Sequence, residues 1–89
     1  MKRIRIIITG KVQGVFYRKS AHARATALGL SGWVKNLDNG RVMAEVQGGA
    51  NEVRHFIDWC RKGPDQARVT GVDTEIVPPK TEKGFRILY

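Results

Sequence analysis

The stretch Gly10-Lys11-Val12-Gln13-Gly14-Val15-Phe16-Tyr17-Arg18 constrains this chain more than any other. It joins an Arg/Ile-rich run that reads as a strand (Lys2 to Thr9) to an Ala-rich run that reads as a helix (Lys19 to Leu28). A strand, a glycine-bracketed loop and a helix point several backbone N–H groups at one spot. Such a nest at a helix N-terminus binds anions. The helix start also breaks local rules. Residues 15–18 offer no Ser, Thr, Asp or Asn to cap the first-turn N–H groups. Arg18 and Lys19 then add positive charge at the positive end of the helix dipole. One bound anion cures both faults, and local inconsistency of this kind marks functional sites. The plainer reading is that glycine-bracketed strand-to-helix loops are common and many bind nothing. The loop is not a P-loop, because no Lys-Ser or Lys-Thr pair follows at the required spacing, and its glycine spacing is wrong for a dinucleotide fingerprint.

The remaining chain alternates between strand and helix periods. Residues 3–9 place Ile4, Ile6 and Ile8 on one face and Arg3, Arg5 and Ile7 on the other, a strand with one face on a core. Within Lys19 to Leu28, Ala21, Ala25 and Leu28 fall at helical spacing, and Gly29 ends the run. Gly32 to Leu37 alternates, Asp38-Asn39-Gly40 follows, and Arg41 to Gln47 alternates again with Val42, Ala44 and Val46 inward. An Asn-Gly pair between two alternating runs is a strong hairpin signal. Asn51 to Lys62 sets Val53, Phe56, Ile57 and Cys60 on one stripe of a second helix, closed by Gly63-Pro64. Val69 to Val77 reads as a fourth strand ended by Pro78-Pro79, and the polar Lys80 to Gly84 leads into a short last strand, Phe85 to Tyr89. A chain of 89 residues has no room for a second core, so residues 1–89 form one domain. The β-α-β-β-α-β order predicts an α+β class: a ferredoxin-like split βαβ sandwich, with an antiparallel sheet, both helices on one face and a short extra C-terminal strand.

Charge narrows the partners. The formal charge is +8, from 16 Lys and Arg against 8 Asp and Glu. Much of the excess lies early, where Lys2, Arg3, Arg5, Lys11, Arg18, Lys19, Arg24, Lys35 and Arg41 face only Asp38. That bias suits an anionic partner, whether a small phosphorylated molecule, a nucleic acid or an anionic surface. A solvated basic face that aids solubility explains it equally well. Cys60 is the lone cysteine, which excludes an internal disulfide and points to a reducing compartment, the cytoplasm. Met1-Lys2-Arg3-Ile4-Arg5 mixes charge into its apolar run without a cleavage-site pattern, unlike a signal peptide. No apolar run approaches the roughly 20 residues of a membrane span.

Most catalytic constellations are missing. His22 and His55 fall on different helices, and one cysteine adds nothing at ligand spacing, so no metal is expected. Ser20 lacks a neighbouring base, and the carboxylates are scattered. Arg18 with its nest survives, together with Asn36. Asn is a poor strand residue, yet Asn36 stands near the end of Trp33-Val34-Lys35-Asn36-Leu37 on the same face as Val34. Either it begins the hairpin turn, or its amide holds a water or a substrate oxygen beside the loop that follows a central first strand.

With both stretches in view, the chain resembles the acylphosphatase family. The likeness rests on Gly10 to Arg18, on Gly32-Trp33-Val34-Lys35-Asn36, and on Gly40, Val42 and Gly48 at the family's spacing; it spans essentially the whole chain. One departure is Tyr17, where the family pattern has Phe or Met. The resemblance implies hydrolysis of the carboxyl-phosphate bond of acyl phosphates without a metal or other cofactor, giving a carboxylate and inorganic phosphate. It implies that Arg18 binds the phosphate, that Asn36 positions the water, and that Gln13, Gly14, Val15, Phe16, Tyr17 and Arg18 supply the phosphate cradle. The implied partners are a small acyl phosphate and inorganic phosphate as product and inhibitor, with no membrane, no specific nucleic acid and a monomeric state.

Two other readings compete. The same fold serves RNA-recognition modules, which display aromatics on inner strands, but Arg41-Val42-Met43-Ala44-Glu45-Val46-Gln47 has none. A ligand-sensing module that kept the loop but lost the chemistry is disfavoured by the presence of both Arg18 and Asn36.

Overall fold

The computed structural model describes all 89 residues, Met1–Tyr89. The order is β1 (Lys2–Lys11), α1 (Tyr17–Ala27), β2 (Ser31–Asn36), β3 (Val42–Gly48), α2 (Ala50–Lys62), β4 (Arg68–Ile76) and β5 (Phe85–Ile87). The five strands lie in the order β4-β1-β3-β2-β5. β1 pairs antiparallel with β3 and β4, and β2 pairs antiparallel with β3. The short β5 runs parallel to β2, so the extra strand makes the sheet mixed. The split βαβ sandwich expected from the pattern is the fold observed.

Alternation does the sorting. Ile4, Ile6 and Ile8 of β1, Val34 of β2, and Val42, Ala44 and Val46 of β3 are buried on one face of the sheet. Ala21 and Ala25 of α1 and Val53, Phe56 and Cys60 of α2 close the same core. α1 packs over β2 and β5, α2 over β4, β1 and β3, and the helices touch each other. Small alanines let α1 approach the sheet closely, while the larger Phe56 fills the space beneath α2. Phe56 of α2 and His22 of α1 lie 6.0 and 6.2 Å from the Phe85 ring, centroid to centroid, which ties both helices to β5.

β1 extends two residues past its expected end because Gly10 and Lys11 still pair with β4 after a register shift at Thr9/Gly10. Gly10 has φ 132°, and a side chain there would collide with the carbonyl of Arg68. Only glycine lets β4 approach this closely. α1 begins at Tyr17, two residues earlier than periodicity indicates, and ends in a left-handed Gly29 with Leu30 N–H donating to Ala25 O at 2.9 Å.

The second sheet face holds what alternation could not reveal. β4 and β5 occupy opposite edges, so residues 77–84 must strap across the sheet. Beneath this strap Arg3 is buried although it faces away from the apolar core. Its Nε donates to Glu45 Oε1 at 2.8 Å and its Nη1 to Glu82 Oε1 at 2.9 Å. Gln47 binds Lys80 through both its amide atoms, each at 2.8 Å. Arg5, directly opposite Glu45 in the β1–β3 register, donates Nε to Oε2 at 2.9 Å. Burial alone would raise the Glu45 pKa, but the hydrogen bonds and charges of Arg3 and Arg5 outweigh it and hold the carboxylate below its usual range.

A depressed folded pKa stabilises the protein above the unfolded glutamate value, and that stability is lost as pH falls through the folded value. At neutral pH, Glu45→Gln should therefore cost about 3 kcal/mol by leaving Arg3 buried without its counter-charge. The gap to wild type should begin to narrow as pH drops below about 4.3, where the unfolded-state glutamate takes up its proton, and should close once pH passes the depressed folded value and the native pair is lost. Urea unfolding midpoints from pH 7 down to pH 3 measure both effects.

Candidate active site

β1 and β2 both run antiparallel to β3, and β5 follows β2, so three strands end at the same edge of the molecule. The loop after β1, the last residue of β2 and the residues after β5 meet there. They line a cavity of about 260 Å³ that includes Gly14, Phe16, Arg18, Lys19, Asn36 and Tyr89. Two basic side chains and no acidic one face it.

The loop is shaped from both sides. Val12 and Val15 are buried in the core, which forces Gln13 and Gly14 outward between them. Gly14 takes φ 74° with open space around it, so its role is conformational. Phe16 is the N-cap of α1 and adopts φ 63°, ψ 24°, the one non-glycine residue with positive φ. A bulky residue there is a backbone outlier that costs about 1–3 kcal/mol. No side chain caps the helix. None of the backbone N–H groups from Gln13 through Lys19 donates a hydrogen bond to the protein. The predicted cradle is thus a continuous run of free donors at a helix N-terminus.

The side chains of the cradle divide their tasks. Gln13 Nε2 donates to Leu37 O at 2.7 Å and to Arg41 O at 2.9 Å, clamping the loop to the β2–β3 hairpin. Tyr17 points into the core, and its hydroxyl donates to Cys60 O at 2.8 Å. Cys60 would ordinarily give its carbonyl to the N–H four residues on, but that residue is Pro64, which has none. Tyr17 therefore supplies the donor that Pro64 lacks and fixes the start of α1 to the end of α2. Burial pushes the Tyr17 phenol well above its normal range and the Cys60 thiol up to about 12. Neither is a nucleophile or base here.

Arg18 leaves the first turn of α1 and lies against the residues after β5. Its Nη1 donates to Leu88 O at 3.2 Å, and its guanidinium carbon is 4.9 Å from the centre of the Tyr89 ring. Leu88 N–H in turn donates to Val34 O at 2.8 Å, which keeps this segment in register with β2. The other guanidinium N–H groups find no protein acceptor and remain free for two oxygens of one anion. Leu88 and Tyr89 escaped the sequence reading, since nothing in a terminal apolar pair signals contact with an arginine 70 residues away.

Asn36 is the last residue of β2, paired with Val42, and is not part of the turn. Leu37 to Arg41 make the turn, closed by Leu37 N–H to Arg41 O at 2.8 Å and by Arg41 N–H to the Asn39 side chain at 3.0 Å. β3 lies between β2 and β1, so Asn36 does not come from a neighbour of β1; the loop curls across the end of β3 to meet it. Its Oδ1 is buried and accepts no hydrogen bond from the protein. Such an acceptor costs about 1–3 kcal/mol unless a water or ligand donates to it. No three His, Cys, Asp or Glu side chains come together as metal ligands, and no helix is long and apolar enough to cross a membrane.

These features define a split βαβ domain in which a loop of free N–H donors, an arginine and an amide converge on a cavity lined by no acidic side chain. Comparison with known proteins gives the particular family. Residues 4–87 match the acylphosphatase family model. Acylphosphatase of Rubrobacter xylanophilus is 47% identical over 97% of this chain and 79% of its own length. That of Methylococcus capsulatus is 52% identical over 82% of this chain and 79% of its own. The crystal structure of acylphosphatase from Bacillus subtilis superposes with a TM-score of 0.97 at 33% identity, covering 100% of both chains. The chain belongs to the acylphosphatase family and is an enzyme of that type.

The clamp from Gln13 can be tested directly. Gln13→Ala should lower stability by about 1–2 kcal/mol, the worth of two hydrogen bonds to backbone carbonyls. Phosphate titration followed by amide chemical shifts at residues 13–19 should show weaker binding in the same variant. A variant with unchanged stability and affinity would show that the clamp carries nothing.

Proposed function

We propose that this chain hydrolyses the carboxyl-phosphate bond of acyl phosphates, with no metal, at the edge where β1, β2 and β5 end. The observation that carries the reading is the unbroken run of free N–H donors from Gln13 to Lys19 beside Arg18 and the unpartnered Asn36 Oδ1. In this mechanism the phosphate oxygens lie in the cradle and on the Arg18 fork. A water donates a hydrogen bond to Asn36 Oδ1, which aims its lone pair at phosphorus. The water–phosphorus bond forms as the bond from phosphorus to the acyl oxygen breaks, and the electron pair leaves on the carboxylate.

Phosphoryl transfer of this kind is loose, with charge spread over three equatorial oxygens, so positioning and electrostatic stabilisation do most of the work. A carboxylate is a weak base and leaves without a general acid. That agrees with a cavity lining free of carboxylates and imidazoles. A substrate phosphate oxygen takes the water's proton, so the rate should show no pH dependence tracking a protein carboxylate or imidazole. Inorganic phosphate, the product, competes for the same donors. We further place the protein in the cytoplasm as a monomer acting on a small substrate. One buried cysteine and a charged surface are consistent with that assignment.

Removing one well-placed donor from such a site costs about 10²–10³ in rate. Arg18→Ala should lose at least that on benzoyl phosphate with EDTA present, and should also weaken inhibition by phosphate. Asn36→Ala should lose turnover while retaining most of its phosphate affinity. Steady-state kinetics with phosphate as inhibitor separates the two. Full turnover in folded Arg18→Ala would place the chemistry elsewhere.

A further inference from the structure

Four large apolar side chains are exposed on this molecule: Met1, Phe16, Ile76 and Tyr89. Two of them, Phe16 at 70% and Tyr89 at 100% exposure, line the active-site cavity together with Ile87. Phe16 is unfavourable twice over. Its ring gains little from burial, and its backbone occupies a left-handed conformation that Gly or Asn adopts at lower cost. The fold has no use for this ring, since the core is closed by Val12, Val15 and Tyr17 on either side of it. Strain held at a site of this kind is a pointer to function.

The position of the ring follows from the substrate's own geometry. In an acyl phosphate the carbonyl carbon is one bridging oxygen away from phosphorus. A phosphoryl group held by Arg18 and the cradle must therefore leave its acyl chain within a few ångströms of Arg18. The surroundings there are Phe16, two residues before Arg18, and Tyr89, whose ring centre is 4.9 Å from the guanidinium carbon. The guanidinium stands near that ring, which remains open to solvent. We propose that Phe16 and the Tyr89 ring form a platform for the acyl group, so that the site prefers acyl phosphates with aromatic or extended apolar acyl groups over acetyl phosphate. The inference rests on the phosphate orientation given under the proposed function.

Two measurements test it. The first is the ratio of kcat/KM for benzoyl phosphate to that for acetyl phosphate, in wild type and in Phe16→Asn, which keeps the left-handed backbone but removes the ring. One aromatic contact is worth about 0.5–1.5 kcal/mol, so the ratio should fall about fivefold, through KM, whatever happens to the absolute rate. Phe16→Trp should retain it. The second is the ratio of affinities for phenylphosphonate and methylphosphonate, read by chemical shifts, which needs no turnover; it should fall alike in Phe16→Asn. Wild-type hydrolysis with both ratios unmoved by Phe16→Asn would overturn the platform and leave the hydrolase reading standing. A wild type that hydrolyses neither substrate would sink the hydrolase reading, and the phosphonate ratio would still decide the platform.

Discussion

The site depends on an ion pair at the opposite end of the sheet. Arg3 and Glu45 meet on the face away from the apolar core, and Arg3 also binds Glu82 of the strap between β4 and β5. The strap must carry the chain from one edge of the sheet to the other. A buried Arg–Glu pair is an expensive way to hold it, because both ions leave water. Here the cost is offset by hydrogen bonds: Arg5 takes the second oxygen of Glu45, and Gln47 fastens the backbone of Lys80. With the strap fixed, β5 falls beside β2, and Leu88 and Tyr89 arrive at Arg18. A polar contact on one face thereby sets a guanidinium on another edge.

The site itself is the least satisfied part of the molecule. Phe16 is strained, α1 is uncapped, the N–H groups of residues 13–19 are free, and Asn36 Oδ1 has no protein donor. Elsewhere the chain is locally consistent, with apolar faces buried and turns built from the residues they need. Apart from Arg3 Nη2 beneath the strap, the unsatisfied groups gather around one cavity, where the proposed function uses the donors for phosphate oxygens and the amide for the attacking water. The core on both sides of the loop, through Val12, Val15 and Tyr17, supplies the rigidity that keeps these groups in place.

The sequence made the apolar architecture legible because period-2 and period-3.6 patterns map directly onto faces. Ile4, Ile6, Ile8, Val42, Ala44 and Val46 are buried where alternation puts them. The missing cap at residues 15–18 was equally readable, and α1 does start without a side-chain cap. Three things were not readable. Arg3 faces outward by alternation, and only the path of the strap buries it. The direction of β5 depends on how residues 77–84 cross the sheet, which no local pattern encodes. The role of Tyr17 needed a spatial fact, that its hydroxyl meets a carbonyl left without a donor by Pro64. Long-range polar pairings of this sort leave no periodic trace.

β5 has only three residues and forms an outer edge of the sheet. Edge elements this short open by local fluctuations at far lower free energy than global unfolding. Opening of β5 would release Leu88 and Tyr89, and with them the orientation of Arg18, while the four-stranded remainder and its core stay folded. Function and fold thus have separate thermal thresholds in this molecule. Arg18 itself stays on α1, next to the loop that follows β1, so what opening of the outer edge removes is the contact that orients its guanidinium.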